Sequence, residues 1–136
     1  MIRNTAVTVC GPLNVNKLGV TYVHEHLMVK PQLPDEYYIP YTLDDEAAST
    51  EETRSFSAAG GETLVEMTPI NYGRNVKAYQ RIAQATGVHV ICCTGFHKQL
   101  FMPPWFGDKT DGELYDILMD EVTNGLDGTE IHPGVI

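Results

Sequence analysis

The chain has 136 residues, 43% of them hydrophobic and 20% charged, a composition of one folded unit that excludes a disordered tail. Eighteen acidic against nine basic residues leave a net charge of -9, so nucleic-acid backbones and anionic membrane surfaces are repelled and neither is an expected partner. No apolar run approaches the roughly 20 residues of a membrane helix, and Met1 to Val15 hold no continuous hydrophobic stretch, so a secretory signal peptide is not expected. Three cysteines, Cys10, Cys92 and Cys93, form neither a disulfide framework nor a CxxC motif, which makes the cytoplasm the expected compartment.

In chain order, Thr5 to Val9 and Leu13 to Val15 flank Gly11-Pro12 and predict a short hairpin, set as a lid or plug at one end of the main fold. Gly19 to His26 (GVTYVHEH) is rich in β-branched and aromatic residues and reads as the first core strand. A Pro-punctuated loop from Lys30 to Tyr41 follows, long enough to carry function. Thr42 is the expected N-cap of a first helix, with Asp44, Asp45 and Glu46 in its first turn and Gly60-Gly61 as its stop.

Glu62 to Thr68 reads as a strand covered on both faces. Val76, Tyr79, Ile82, Ala83 and Ala85 set a helical spacing over Arg74 to Thr86, and Gly87 stands where a left-handed cap is wanted. Val88 to Thr94 is the next strand, and an aromatic, Pro-rich loop runs from Phe96 to Asp111. Asp111 is expected to cap a third helix, whose apolar stripe is Leu114, Ile117, Leu118, Val122 and Leu126. His132 to Ile136 reads as the opening of a fourth parallel strand, cut before it is complete. The alternation βαβαβαβ implies parallel strands with right-handed crossovers, in either an open doubly wound sheet or the first half of a (β/α)8 barrel. An open sheet favours a Gly-rich phosphate turn after its first strand, and His24-Glu25-His26 occupies that place.

On a strand the period of two puts His24 and His26 on one face and Glu25 on the other. Imidazoles at i and i+2 can converge on a Zn²⁺ ion with Zn–N bonds of about 2.0–2.1 Å. The structural alternative is a hydrogen-bonded core pair. Two polar rings at the C-terminal end of a buried parallel strand are costly unless something coordinates or hydrogen-bonds them, which strengthens the metal reading beyond that of an isolated HxH.

GVTYVHEHL, GGETLVEMTPINYGRNV, ATGVHVICCTGF and DEVTNGLDGTEIHPGVI, in that order, resemble the phosphotriesterase family of the amidohydrolase superfamily, and its lactonase-like branch more than its organophosphate-degrading one. The resemblance implies an α/β fold, a (β/α)8 TIM barrel of which strands 1 to 4 are present with an N-terminal β-hairpin. Residues 1–136 would then be the N-terminal half of one barrel domain. It also implies two divalent metal ions, Zn²⁺ first with Mn²⁺ or Co²⁺ as alternatives, with His24 and His26 on the more buried ion and a hydroxide bridging the two. The family's bridging lysine, two further histidines and an aspartate, which would include the catalytic residues, would fall after Ile136.

On the loop after the third strand, the resemblance sets His97 where relatives carry a substrate-facing aromatic, and Lys98 suits an anionic substrate; solvated side chains are the alternative for both. Glu66 is expected to support the metal ligands by a hydrogen bond. Arg74 is read as a structural ion pair, and His89 and His132, at the N-terminal ends of their strands, as structural. Cys92 and Cys93 read as small hydrophobes and Trp105-Phe106 as loop packing. The expected function is a zinc-dependent hydrolase of ester bonds, a lactonase for sugar or phosphorylated sugar lactones. The alternatives are a phosphotriesterase or phosphodiesterase, a catalytically inert fragment, and a metal-free binding module. A small-molecule ester or lactone and a second copy in a homodimer are the expected partners.

Overall fold

A computed structural model describes residues 4–31 and 36–136, the latter without the side chains of 36–38; residues 32–35 of the expected functional loop lie outside the described residues. Two short strands, β1 (Thr5–Thr8) and β2 (Gly11–Asn14), pair antiparallel with Thr8 opposite Gly11. This hairpin docks beneath the main sheet. Val9 N–H donates to Val90 O at 2.9 Å and Gln80 Nε2 donates to Val9 O at 2.9 Å, so the hairpin plugs the N-terminal end of the strands, as expected.

The main sheet is parallel, in the order β3 (Thr21–Glu25), β4 (Thr63–Glu66), β5 (His89–Cys92). A single bridge from Cys93 to Val135 starts a fourth parallel partner beside β5. The helices α1 (Glu46–Ala58) and α2 (Val76–Thr86) form the crossovers, and α3 (Asp111–Asn124) follows β5. The core lies between sheet and helices, where Leu64, Val90 and Cys92 meet Tyr79 and Ile82 of α2. Thr63, Leu64 and Glu66 of β4 are buried, the pattern of a strand covered on both faces. Among the described residues no helix is long and apolar enough to cross a membrane.

The helix starts differ from the expectation at two points. Asp45, not Thr42, caps α1 by accepting Ala48 N–H at 3.0 Å; Leu43 pairs with Val29 through both of its backbone groups, so the helix does not start directly after Thr42. Thr110, not Asp111, caps α3: its hydroxyl accepts Glu113 N–H while Glu113 returns a bond to Thr110 N–H, a capping box. Gly87 (φ 77°) ends α2 in the left-handed conformation, as its position predicts. The α3 stripe is only half covered. Val122 is 40% exposed, and Glu121 is the helix's one buried residue. Among the described residues one bridge, Cys93 to Val135, extends the sheet on that side.

Glu121 is buried because Arg74 meets it. The Arg74 side chain, 1% exposed, bonds Glu121 through both terminal nitrogens (2.5 and 3.1 Å), Asp127 at 2.6 and 3.1 Å, and Cys93 O at 3.2 Å. Thr94 adds a hydroxyl bond to Glu121 at 2.5 Å. The structural role expected of Arg74 is therefore met: it ties the start of α2, the end of β5 and α3 into one unit. Arg74→Ala is expected to lower unfolding free energy by about 3–5 kcal/mol, because it strands a buried carboxylate. Asp127→Asn, at a carboxylate 41% exposed, should cost only ~1 kcal/mol. Equal losses in urea melts would contradict this division.

Candidate functional site

The polar side chains gather at the C-terminal ends of the parallel strands. β3 and β4 pair Thr21 with Thr63 and Tyr22 with Leu64, then Glu25 with Glu66, so β3 advances three residues against two. This bulge interrupts the simple alternation expected of His24-Glu25-His26, and β3 ends at Glu25, leaving His26 one residue beyond it. The two rings still meet, with centroids 5.2 Å apart at 69°. Glu25 accepts His26 N–H at 2.9 Å and lines a cavity of about 610 Å³ between β3 and α1, together with Asp44, Ser49 and Phe56. Neither His97 nor Lys98 lines that space.

His26 stands on a hydrogen-bonded chain. Its Nδ1 lies 2.9 Å from Thr68 Oγ1, whose hydroxyl donates to Glu66 Oε1 at 2.5 Å. Glu66 is fully buried and also accepts Leu27 N–H on Oε1 (3.1 Å) and Thr68 N–H on Oε2 (3.0 Å). Burial pushes this carboxyl up to about 7, against the Thr68 and Leu27 bonds that favour the ion. The expected support of Glu66 for the histidines thus runs through Thr68. Burial, then the nearby His24, lowers the pKa of His26 against an opposing pull from Glu25; burial, then Lys98, lowers that of His97. Both shifts favour neutral imidazole, the form that binds a cation.

Tyr72 joins the histidines to the third-strand loop. Its ring meets His26 edge-on at 5.8 Å and stacks on His97 at 4.7 Å, with Phe101 closing the cluster at 4.6 Å from Tyr72. Lys98 Nζ stands 5.4 Å above the Phe101 ring. Asn71 clamps the loop: its Oδ1 accepts His97 N–H at 2.7 Å, and its Nδ2 donates to Phe101 O at 3.0 Å. The structure therefore brings His24, His26 and His97 to one place, with Lys98 at its rim. Sequence reading missed Thr68, two residues beyond β4, and Asn71 and Tyr72, in the 3-10 turn Ile70–Tyr72 that Gly73 (φ 77°) closes. The available signal was punctuation, Pro69 and Gly73 bracketing a turn at the C-terminal end of a core strand.

Cys92 and Cys93 are buried free thiols, Cys93 pushed up to about 12 by burial, as suits inert packing groups. His132 bonds Val122 O at 3.1 Å, and Phe96 holds Phe106 at 5.0 Å and Trp105 at 6.1 Å; these are the structural roles expected of them. The donor set at His24 and His26 fits a divalent cation: two adjacent imidazoles, with Nδ1 of His26 engaged and its Nε2 outside that bond. Among the described residues no group of three or more His, Cys, Asp or Glu could hold a metal, so the pair supplies part of a coordination shell.

A half-circuit of parallel strands with polar groups at their C-terminal ends is the layout of a (β/α)8 hydrolase-type barrel. The profile of the Phosphotriesterase family matches residues 4–136, and the chain belongs to that family. It is 34% identical to a phospho-furanose lactonase of Mycoplasmopsis synoviae over 93% of this chain and 38% of that protein. With an N-acetyltaurine hydrolase of Danio rerio it shares 31% identity over 99% of this chain and 47% of the relative. A lactonase from Listeria monocytogenes superposes with a TM-score of 0.85 and 28% identity, over 96% of this chain and 46% of that one. The chain thus spans less than half the length of these relatives.

The pKa of Glu66 rises from an ordinary 4.5 to about 7 in the fold. Across that window the native state holds a proton that the unfolded chain has released, so stability falls as pH rises through it. Urea midpoints measured from pH 4.5 to 8 should show this decline, and Glu66→Gln should remove that component. Parallel profiles for the two proteins would contradict the assignment.

Proposed function

We propose that the protein carrying this chain is a metal-dependent hydrolase of ester bonds, a lactonase whose substrates are sugar lactones, phosphorylated ones included. In this reading, residues 1–136 are the N-terminal half of a single barrel domain. The observation that carries it is the pair of imidazoles, 5.2 Å apart between centroids, at the C-terminal end of the first core strand. The names of the two lactonase relatives support the bond type.

His24 and His26 would hold one of two divalent ions, Zn²⁺ first and Mn²⁺ or Co²⁺ as alternatives. When bound, such ions polarise the substrate oxygen and bring water toward ionisation at neutral pH. This chain's own residues do the rest of the work assigned here. Thr68 and Glu66 orient His26, while Tyr72 and Phe101 present an apolar wall that excludes water. His97, fixed by Asn71, places a hydrogen-bonding ring against the substrate, and Lys98 attracts an anionic substituent at the rim. On a chain of net charge -9, a cation at that rim favours an anionic ligand where the wider surface does not. A cytoplasmic homodimer is the proposed setting.

A second reading, hydrolysis of an N-acyl bond, has the N-acetyltaurine hydrolase likeness behind it. Turnover of lactones against N-acyl amines by the full-length metal-loaded protein decides between them. Lactone hydrolysis is expected, and its absence would overturn the first reading. His24→Ala and His26→Ala should each lower bound metal, read by elemental analysis, and cut kcat/KM at least 100-fold. Lys98→Ala should raise KM about tenfold for a phosphorylated lactone, since a charge-assisted bond is worth roughly 1.5 kcal/mol, and leave a neutral lactone unchanged.

A further inference from the structure

We propose that Thr68 and Glu66 act as a positioning relay that holds His26 as its Nδ1–H tautomer and so presents the Nε2 lone pair. The part that concerns a cation rests on the function proposed above; the tautomer does not. The relay has one proton per link. Thr68 has a single hydroxyl proton, and it points to Glu66 Oε1 at 2.5 Å. Thr68 Oγ1 therefore meets Nδ1 of His26, 2.9 Å away, with a lone pair, and Nδ1 must carry the hydrogen. Neutral imidazole has only one N–H, so Nε2 is left as the acceptor.

The direction of the chain is set at its far end. Leu27 N–H and Thr68 N–H reach Glu66 at 3.1 and 3.0 Å, and a backbone N–H can only donate. With Thr68 Oγ1 these are three donors converging on one carboxylate. Among the described residues no Lys, Arg or His lies within ion-pair distance of Glu66. A fully buried carboxylate without a cation is expensive in folding energy. An orienting role next to His26 accounts for its presence where packing alone favours an apolar side chain.

The relay also explains why the bulge in β3 matters. It aligns Glu25 with Glu66, and so places His26 beside the residue two beyond Glu66, which is Thr68. Thr68 is fully buried, so water does not compete for its hydroxyl. Thr68 is a positioning residue here, since it acts on the substrate only through His26.

The test is the tautomer of His26 in the metal-free, full-length protein at pH 8, read by two-bond ¹H–¹⁵N correlation on ¹⁵N-histidine and assigned by the signal lost in His26→Asn. A protonated Nδ1 and an unprotonated Nε2 are expected in the natural sequence. Thr68→Val should shift His26 toward Nε2–H and weaken Zn²⁺ binding about 10–100-fold, whereas Thr68→Ser should restore both to within about threefold. An Nε2–H His26 in the unmutated protein, or Nδ1–H retained in a folded Thr68→Val, would overturn the relay. The first of these needs no variant to fold. Nδ1–H in a protein that binds no Zn²⁺ would instead strike the metal reading while supporting the tautomer assignment.

Discussion

The site depends on the register between β3 and β4. Parallel pairing brings the C-terminal ends of consecutive strands to one edge, and the extra residue in β3 brings Glu25 level with Glu66. Without that bulge, alternation alone would decide where the His24 and His26 rings point. With it, His26 leaves the strand just where the turn after β4 offers a hydroxyl. The geometry of two imidazoles is thus a consequence of backbone pairing, and the side chains beneath refine it.

Polar groups are concentrated at this end of the sheet, and the buried ones are paired. Arg74 joins Glu121, Asp127 and Cys93 O, Glu66 is ringed by donors, and Asn71 satisfies the backbone of the third-strand loop. Among the described residues no buried side-chain nitrogen or oxygen lacks a partner. In a low-dielectric interior such networks resist rearrangement, because opening one bond leaves an unsatisfied group. The His97 loop is thereby held against Tyr72 by a buried amide, which is the rigidity a substrate-facing ring requires.

Much of this was legible in the residues themselves. Gly11 at a hairpin turn, Gly87 after an amphipathic run, and the doubly covered Glu62 to Thr68 each follow from local physics that tertiary contacts do not override. The caps were legible only to within three residues, because Thr42, Asp45, Thr110 and Asp111 are all chemically competent and the choice depends on where the backbone turns helical, which for α1 the Val29–Leu43 bridge delays. The α3 stripe has the right spacing, yet spacing does not say how much sheet will lie beneath it. His24 and His26 stood out by type and position. Thr68, Asn71 and Tyr72 did not, since a hydroxyl, an amide and a phenol after a strand acquire meaning only through partners 25 to 46 residues away.

In the proposed function the His24 and His26 rings, at the end of the first core strand, share one cation. X-ray absorption or anomalous diffraction on the full-length zinc-loaded protein tests it most directly. Nitrogens of both His24 and His26 are expected at about 2.0–2.1 Å from one ion. An ion bound without them, or the two rings turned to opposite sides of the sheet, would contradict it.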